Sequence, residues 1–446
     1  MKSRMALRVH QLWRKRELPG AAGVVRNMLG TALVNMILAA FAAATGVVIA
    51  RALGPTGRGE YAAIFTWFSV VLAVGQLGQT AATTYFVARH PKRAPDYLAT
   101  SRNLMVASGV ATLLLGIFVA PLLASGNEVV TWGYRLMFLT CLACFVGASY
   151  TFSLQATNLK AWNMVRVAQP VAYLSMIVGL HVVVGLSLMT VLAVLSFTMV
   201  AQTGLAYLLC RREGLTGGTA RRTLTKPLTR YGVSQLMAST PTVVTTRLDQ
   251  LVLSIVVPAA QLGRYAVAAS LSVLAAPLVA AIGHVAFPRI ASRSNPDSSA
   301  RLRRDALLAS TTIGAVAMIL ITSTASWVVP TVFGPQFSEA VPLVWLMAPG
   351  GVFLGCGRVS ADLLRGHGKP GSVACAQGIA AVATVSTLVA LLPIIGIAGA
   401  AVAWSTGTGI AFVLMLFALR RVSRARRHTL AIAADADPTP VAREPS

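Results

Sequence analysis

Long apolar stretches separated by short polar loops dominate the chain. They fall at residues 28–50, 60–87, 104–124, 133–156, 164–184, 187–209, 231–257, 264–287, 305–329, 341–363, 372–392 and 396–419. Each is close to the roughly 20 residues an α-helix needs to cross about 30 Å of hydrocarbon at 1.5 Å per residue. The pattern predicts an all-α polytopic membrane protein of about twelve transmembrane helices. Two neighbouring pairs are told apart only by Val184-Gly185-Leu186 and by the turn from Pro393 to Gly396.

Composition agrees with that reading. Of 446 residues, 56% are hydrophobic and 11% charged, against roughly 45–50% and 25% in soluble chains. The net charge of +25 would suit nucleic acid or a membrane protein with basic cytoplasmic loops, and the placement of the charge chooses the second. With both termini inside, 33 of the 38 Lys and Arg residues fall in inner segments or in the inner turns of the spans beside them. Arg51, Arg58, Arg135 and Arg264 fall outside, and Arg247 lies within a helix. This is the positive-inside bias, and it predicts a bacterial inner-membrane protein with cytoplasmic termini and no nucleic-acid partner. The five cysteines all sit in or beside apolar stretches and form no disulfide framework. The Cys141–Cys144 pair lies inside an apolar helix, outside the βαβ setting of a redox motif.

The longest inner loop follows the sixth span and divides the chain into six plus six helices. The expected organisation is a basic cytoplasmic segment (1–27), a first lobe (28–210), a linker (211–230), a second lobe (231–420) and a disordered tail (421–446). In the first segment, Met5, Val9, Leu12 and Trp13 share a helix face among basic residues, which reads either as an amphipathic helix on anionic phospholipid or as a disordered basic tail. Gly59-Glu60-Tyr61-Ala62 at the start of the second span is echoed 204 residues later by Gly263-Arg264-Tyr265-Ala266 at the start of the eighth. Six is an even number, so the lobes share an orientation and would be related by a pseudo-two-fold axis along the membrane normal.

Candidate chemistry is sparse. Gly366-His367-Gly368-Lys369-Pro370 lacks the first glycine and the hydroxyl of a phosphate-binding loop, and neither a zinc motif nor a large soluble loop occurs. No cofactor, metal or enzymatic activity is expected. His181 and His284 are isolated polar residues near helix ends, and Pro241 and Pro277 read as kinks in the seventh and eighth spans. On the seventh span, Gln235, Ser239, Thr242, Thr246 and Asp249 recur at steps of 4, 3, 4 and 3, a polar stripe on one helix face. Arg247 is two residues from Asp249, so the side chains diverge by about 200° and each needs its own partner or water. Buried interhelical salt bridges and a cavity that binds an anionic or polar substrate both satisfy that need. Gln76, Gln79, Thr80 and Thr83 make a shorter stripe on the second span, which either bonds neighbouring helices or faces the first stripe across a wet path. Arg358 and Asp362, at i and i+4, read as a local ion pair near the cytoplasm.

The run from Ile49 to Ala62, Ile-Ala-Arg-Ala-Leu-Gly-Pro-Thr-Gly-Arg-Gly-Glu-Tyr-Ala, resembles the loop after the first helix in polysaccharide exporters of the multidrug/oligosaccharidyl-lipid/polysaccharide superfamily. Arg247-Leu248-Asp249-Gln250-Leu251-Val252-Leu253, the second Gly-x-Tyr-Ala run, Phe287-Pro288 and Gly334-Pro335-Gln336-Phe337 are similar to that family's second half. The resemblance implies an O-antigen-type flippase that moves undecaprenyl-diphosphate-linked oligosaccharide through an arginine-bearing cavity. Polymerase and glycosyltransferases of a polysaccharide pathway would be its partners. It leaves open a cation-coupled multidrug antiporter with Asp249 as coupling carboxylate, and a lipid II flippase, although those usually have fourteen spans. A scaffold of a polysaccharide assembly complex remains an alternative. A membrane-embedded transferase would need an acid or His constellation that the sequence lacks.

Overall fold

The computed structural model describes residues 21–276, 279, 282, 296–367 and 369–435, with side chains omitted at 21–29, 32, 238–245, 296–300 and 422–435. The described residues form thirteen α-helices and no strand. They are α1 (Ala21–Gly75), α2 (Gln79–Arg89), α3 (Ala94–Leu123), α4 (Glu128–Thr157), α5 (Leu159–Val183), α6 (Leu188–Arg212) and α7 (Arg222–Thr245), then α8 (Leu248–Val256), α9 (Ala259–Ser272), α10 (Pro296–Val328), α11 (Val341–Gly366), α12 (Pro370–Ile395) and α13 (Ile397–Asp435). Nine of the described helical segments are long and apolar enough to cross a membrane. The first of these holds two passes, because α1 breaks at Gly54 (φ 66°). Only glycine adopts that backbone without strain, and Pro55 starts the second arm with its φ already helical. The described residues thus carry ten such passes, with α7 plus α8 in the place of the expected seventh span and α9 at the start of the expected eighth.

Short turns with side-chain caps start several helices: Asn127, Asn158 and Ser187 accept from the amides of Val130, Ala161 and Thr190, satisfying donors that the first helical turn leaves open. Helices α1–α6 form one lobe around α4, and α7–α13 form the other around α13, with α11 and α12 against it. The lobes meet where the second arm of α1 runs along α9. A Cβ on Gly59 would stand 1.7 Å from the Ala259 carbonyl oxygen, and one on Gly263 2.0 Å from that of Pro55. The two copies of the repeated motif therefore face each other, each glycine letting the opposite backbone approach. At this end, called the far end below, Arg51 donates to the Thr331 carbonyl at 2.8 Å and Arg264 pairs with Glu339 at 2.7 Å. At the opposite, near end, α7 leans onto the first lobe: Gly232 packs against Gly78, and Tyr231 stacks on Tyr85 with ring centroids 4.7 Å apart.

Several expectations change. The second span ends at Gly75, and a turn with left-handed Leu77 and Gly78 turns the chain into α2. The helical path extends through Asp435, into the tail from 421 that was expected to be disordered. Pro241 lies inside α7, and the seventh span breaks instead at Thr246–Arg247. The N-terminal amphipathic face, Pro277, His284 and Phe287-Pro288 lie outside the described residues.

Candidate functional site

Between the lobes is a cavity of about 860 Å³. Both arms of α1 and helices α5 and α6 wall it on one side; the α7–α8 joint, α9, α11, α12 and α13 wall it on the other. It reaches the near end, where Arg365, one residue from the end of α11, and Val373, in the first turn of α12, are part of its wall. The far end is sealed by the Gly59–Gly263 contact.

Four arginines line this space. Arg58 enters from the second arm of α1, its guanidinium carbon 5.6 Å from the centre of the Tyr61 ring and its Nε buried without a hydrogen-bond partner. Arg247 enters from the joint between α7 and α8, where its backbone leaves helical geometry (φ −130°, ψ −6°) to cap α8. Arg358 and Arg365 project from α11, seven residues and so about 10 Å apart along the axis. The one acidic residue in the wall, Asp362, bonds to Arg365 Nη1 at 3.0 Å. Among the described residues Arg58, Arg247 and Arg358 form no ion pair.

Neutral polar groups complete the wall. Thr66 Oγ1 donates to Gln250 Oε1 at 3.0 Å across the lobe boundary, Gln169 donates to Thr198 at 3.3 Å, and Tyr61 and Tyr173 place their hydroxyls 3.5 Å apart. Cations without counter-charge at membrane depth cost several kcal/mol unless water or an anion reaches them. Guanidinium forks grip phosphate or carboxylate oxygens two at a time. Such a wall can hold a hydrated anion bearing hydroxyl groups. Among the described residues no three His, Cys, Asp or Glu side chains converge as a metal site would require.

The sequence-predicted residues divide between cavity and scaffold. Arg247 and Thr246 line the cavity. Asp249 does not: it is 2% exposed and accepts a 2.6 Å bond from the Tyr265 hydroxyl, so the break in the seventh span turns it away from the face it was expected to share. Gln235 is exposed and does not line the cavity, and the side chains of Ser239 and Thr242 lie outside the described set. Of the second stripe, Gln76 falls in the turn before α2 and Gln79 donates to the Leu228 carbonyl at 3.4 Å. Thr83 is buried 2.5 Å from the Ser101 hydroxyl, and the Thr80 carbonyl accepts from Thr84. Gln79 and Thr83 thus hold α2 to α7 and α3.

Arg358 and Asp362 are not each other's partners, because Asp362 is taken by Arg365. Arg58, expected at the outer rim, belongs to the cavity wall. The signal for it was present: it directly precedes Gly59 of the repeated motif, and a residue beside a lobe-to-lobe glycine cannot lie far from the axis.

Residues 24–294 match the family described as "Polysaccharide biosynthesis protein". No curated sequence matches the chain. Among solved structures, the chain is similar to the inward-facing conformation of a multidrug resistance MATE family transporter of the MOP superfamily, with a TM-score of 0.74 and 14% identity over 88% of this chain and 96% of that one. It is similar as well to the lipid II flippase MurJ in an inward closed conformation, with a TM-score of 0.73 and 13% identity over 92% and 93% of the two chains. The outward-facing conformation of a MATE family transporter gives a TM-score of 0.60 at 14% identity, over 90% and 96%.

Proposed function

Because the chain belongs to the polysaccharide biosynthesis protein family, with transporters and flippases of the MOP superfamily as its structural neighbours, we propose that it flips a diphosphate-linked oligosaccharide lipid across the bacterial inner membrane. The observation that carries this reading is the charge of the cavity: four arginines and a single aspartate that already serves one of them. A diphosphate headgroup with its sugars is anionic and heavily hydrated, and cannot enter hydrocarbon without charged and hydrogen-bonding groups along its route. Here the diphosphate would sit among Arg58, Arg247 and Arg358, with the sugars against Tyr61, Tyr173, Gln169 and Trp404, while the prenyl chain stays in the lipid. A volume of about 860 Å³ lies within the ~300–1,000 Å³ of small-molecule sites, enough for a headgroup and a short glycan, not a polymer.

The same charges suggest how the lobes move. Arg58 belongs to the first lobe and Arg247, Arg358 and Arg365 to the second, so an empty cavity resists closing at the near end by like-charge repulsion. A bound diphosphate cancels that repulsion, lets the near end close, and allows the Gly59–Gly263 seal to part. This is alternating access without ATP, driven by differential affinity for the two states. A cation-drug antiporter fits the wall less well. Its cargo would face uncompensated arginines, and Asp249, the acid it would use, is buried against Tyr265 outside the cavity.

Equilibrium binding to the purified protein separates the two. A polyprenyl-diphosphate oligosaccharide should bind and be displaced by inorganic diphosphate, while a lipophilic cation such as ethidium should neither bind nor compete. Ethidium binding that diphosphate leaves untouched would refute the proposal.

A further inference from the structure

The first-lobe wall of the cavity continues toward the near end in residues that the central site does not include. Helix α4 starts at the far end, where Asn127 donates to Glu60 at 3.3 Å, so it ends, and α5 begins, at the near end. The first arm of α1 runs the same way, since it reaches Gly54 at the far end. The two helices pack side by side, and each carries a stripe at helical spacing: Trp162, Arg166, Gln169 and Tyr173 on α5, and Asn35, Leu38 and Ala42 on α1. Gln169, Tyr173, Leu38 and Ala42 line the cavity. Arg166 and Asn35 sit on the same two faces one turn, roughly 5 Å, closer to the near end.

There the polar side chains are only half satisfied. Arg166 donates through Nη2 to Asn35 Oδ1 at 2.8 Å, and its guanidinium carbon is 4.4 Å from the centre of the Trp162 ring. Asn163 donates to Thr31 Oγ1 at 3.4 Å. Three buried polar atoms of this group have no hydrogen-bond partner among the described residues: Arg166 Nη1, Trp162 Nε1 and Asn163 Oδ1. No acid occurs in the first arm of α1, in α5, or in α6 packed against α5, so no carboxylate of these helices answers the guanidinium. Buried polar atoms without partners are costly, and the types present define what would pair them. A cationic donor suits a phosphate oxygen. An indole N–H and an amide oxygen on adjacent residues suit a sugar hydroxyl, which accepts from the first and donates to the second. A bare phosphate would set its own acceptors against the Asn163 oxygen. We propose that Trp162, Asn163 and Arg166 form a phosphosugar subsite at the cavity mouth, the first station of the headgroup on its way to Arg58, with Arg166 on a phosphate and Trp162 and Asn163 on hydroxyls of the sugar beside it. The onward step to Arg58 rests on the flippase reading; the binding does not.

The test is equilibrium binding of radiolabelled glucose 1-phosphate to the full chain carrying Arg58→Gln/Arg247→Gln/Arg358→Gln, which removes central phosphate contacts and leaves the subsite intact. This protein should bind the sugar phosphate, and inorganic phosphate should compete at least tenfold less well. Adding Arg166→Gln should weaken binding at least tenfold, and Arg166→Lys in its place should recover part of it. Asn163→Leu leaves the guanidinium in place and should remove the preference for sugar phosphate over phosphate, an effect that a purely structural α1–α5 contact would not produce. Absence of binding in the central triple variant, binding unchanged by Arg166→Gln, a preference retained in Asn163→Leu, or equal competition by inorganic phosphate would each overturn the proposal, the last showing an anion site without sugar recognition. The flippase reading is judged separately: a wild-type protein that binds glucose 1-phosphate through Arg166 but flips no lipid would refute the flippase and leave the subsite standing.

Discussion

At the scale of single residues, Arg247 and Asp249 are neighbours in sequence with separate duties. Arg247 faces the cavity, and Asp249 is sealed against Tyr265 on α9. A charged hydrogen bond contributes about 1.5–3 kcal/mol, so removing the Arg247 guanidinium should weaken headgroup binding by about 10- to 100-fold. Arg247→Lys keeps the charge without the planar fork and should retain part of the activity. Membrane abundance of Arg247→Ala should match wild type, because among the described residues Arg247 forms no ion pair with a buried acid. Asp249→Asn or Tyr265→Phe disturbs a buried bond between two helices and should lower abundance or melting temperature instead. Abundance and headgroup binding measured on the same membranes check this; an Arg247→Ala protein that fails to accumulate, and recovers when Asp249→Asn is added, would show that the two residues are structurally coupled.

At the scale of helices, the decisive contact is that of α1 with α9 through Gly59 and Gly263. A Cβ at Gly59 would overlap the Ala259 carbonyl, so Gly59→Ala should push the lobes apart at the far end. In a cysteine-free background, Thr66→Cys lies behind that seal and is 1% exposed as threonine. An impermeant thiol reagent added outside intact cells should label it faster when Gly59→Ala is present, and no faster with Gly204→Ala, where nothing lies within 4 Å of the added Cβ. Labelling at the parental rate in Gly59→Ala would show that the glycine pair is not the seal. The long apolar passes were legible because apolar length dictates them, and the Gly-x-Tyr-Ala repeat was legible because its two copies sit at the same point of each half. The break at Thr246–Arg247 was not. It falls at residues with no glycine, and Pro241 drew attention one and a half turns too early. The polar stripe read as a continuous face was therefore cut, and Asp249 was assigned to a cavity it does not reach. Arg358 was misread for a related reason: Asp362 has arginines at both i−4 and i+3, and spacing alone does not choose between them.

For the molecule as a whole, the cavity joins two lobes of like charge around a space closed at the far end and reached from the near end. In the proposed mechanism, an anion that bridges Arg58 to the arginines of the second lobe lets this arrangement change state. The measurement that tests this most directly is translocation of a fluorescent polyprenyl-diphosphate oligosaccharide in vesicles reconstituted with the protein and no ATP. It should compare wild type with Arg58→Gln/Arg247→Gln/Arg358→Gln at equal inserted protein. The wild-type protein should flip the lipid, and the triple variant should insert normally yet flip it at least 100-fold more slowly. Flipping at the wild-type rate by the triple variant would show that the cavity arginines do not carry the headgroup.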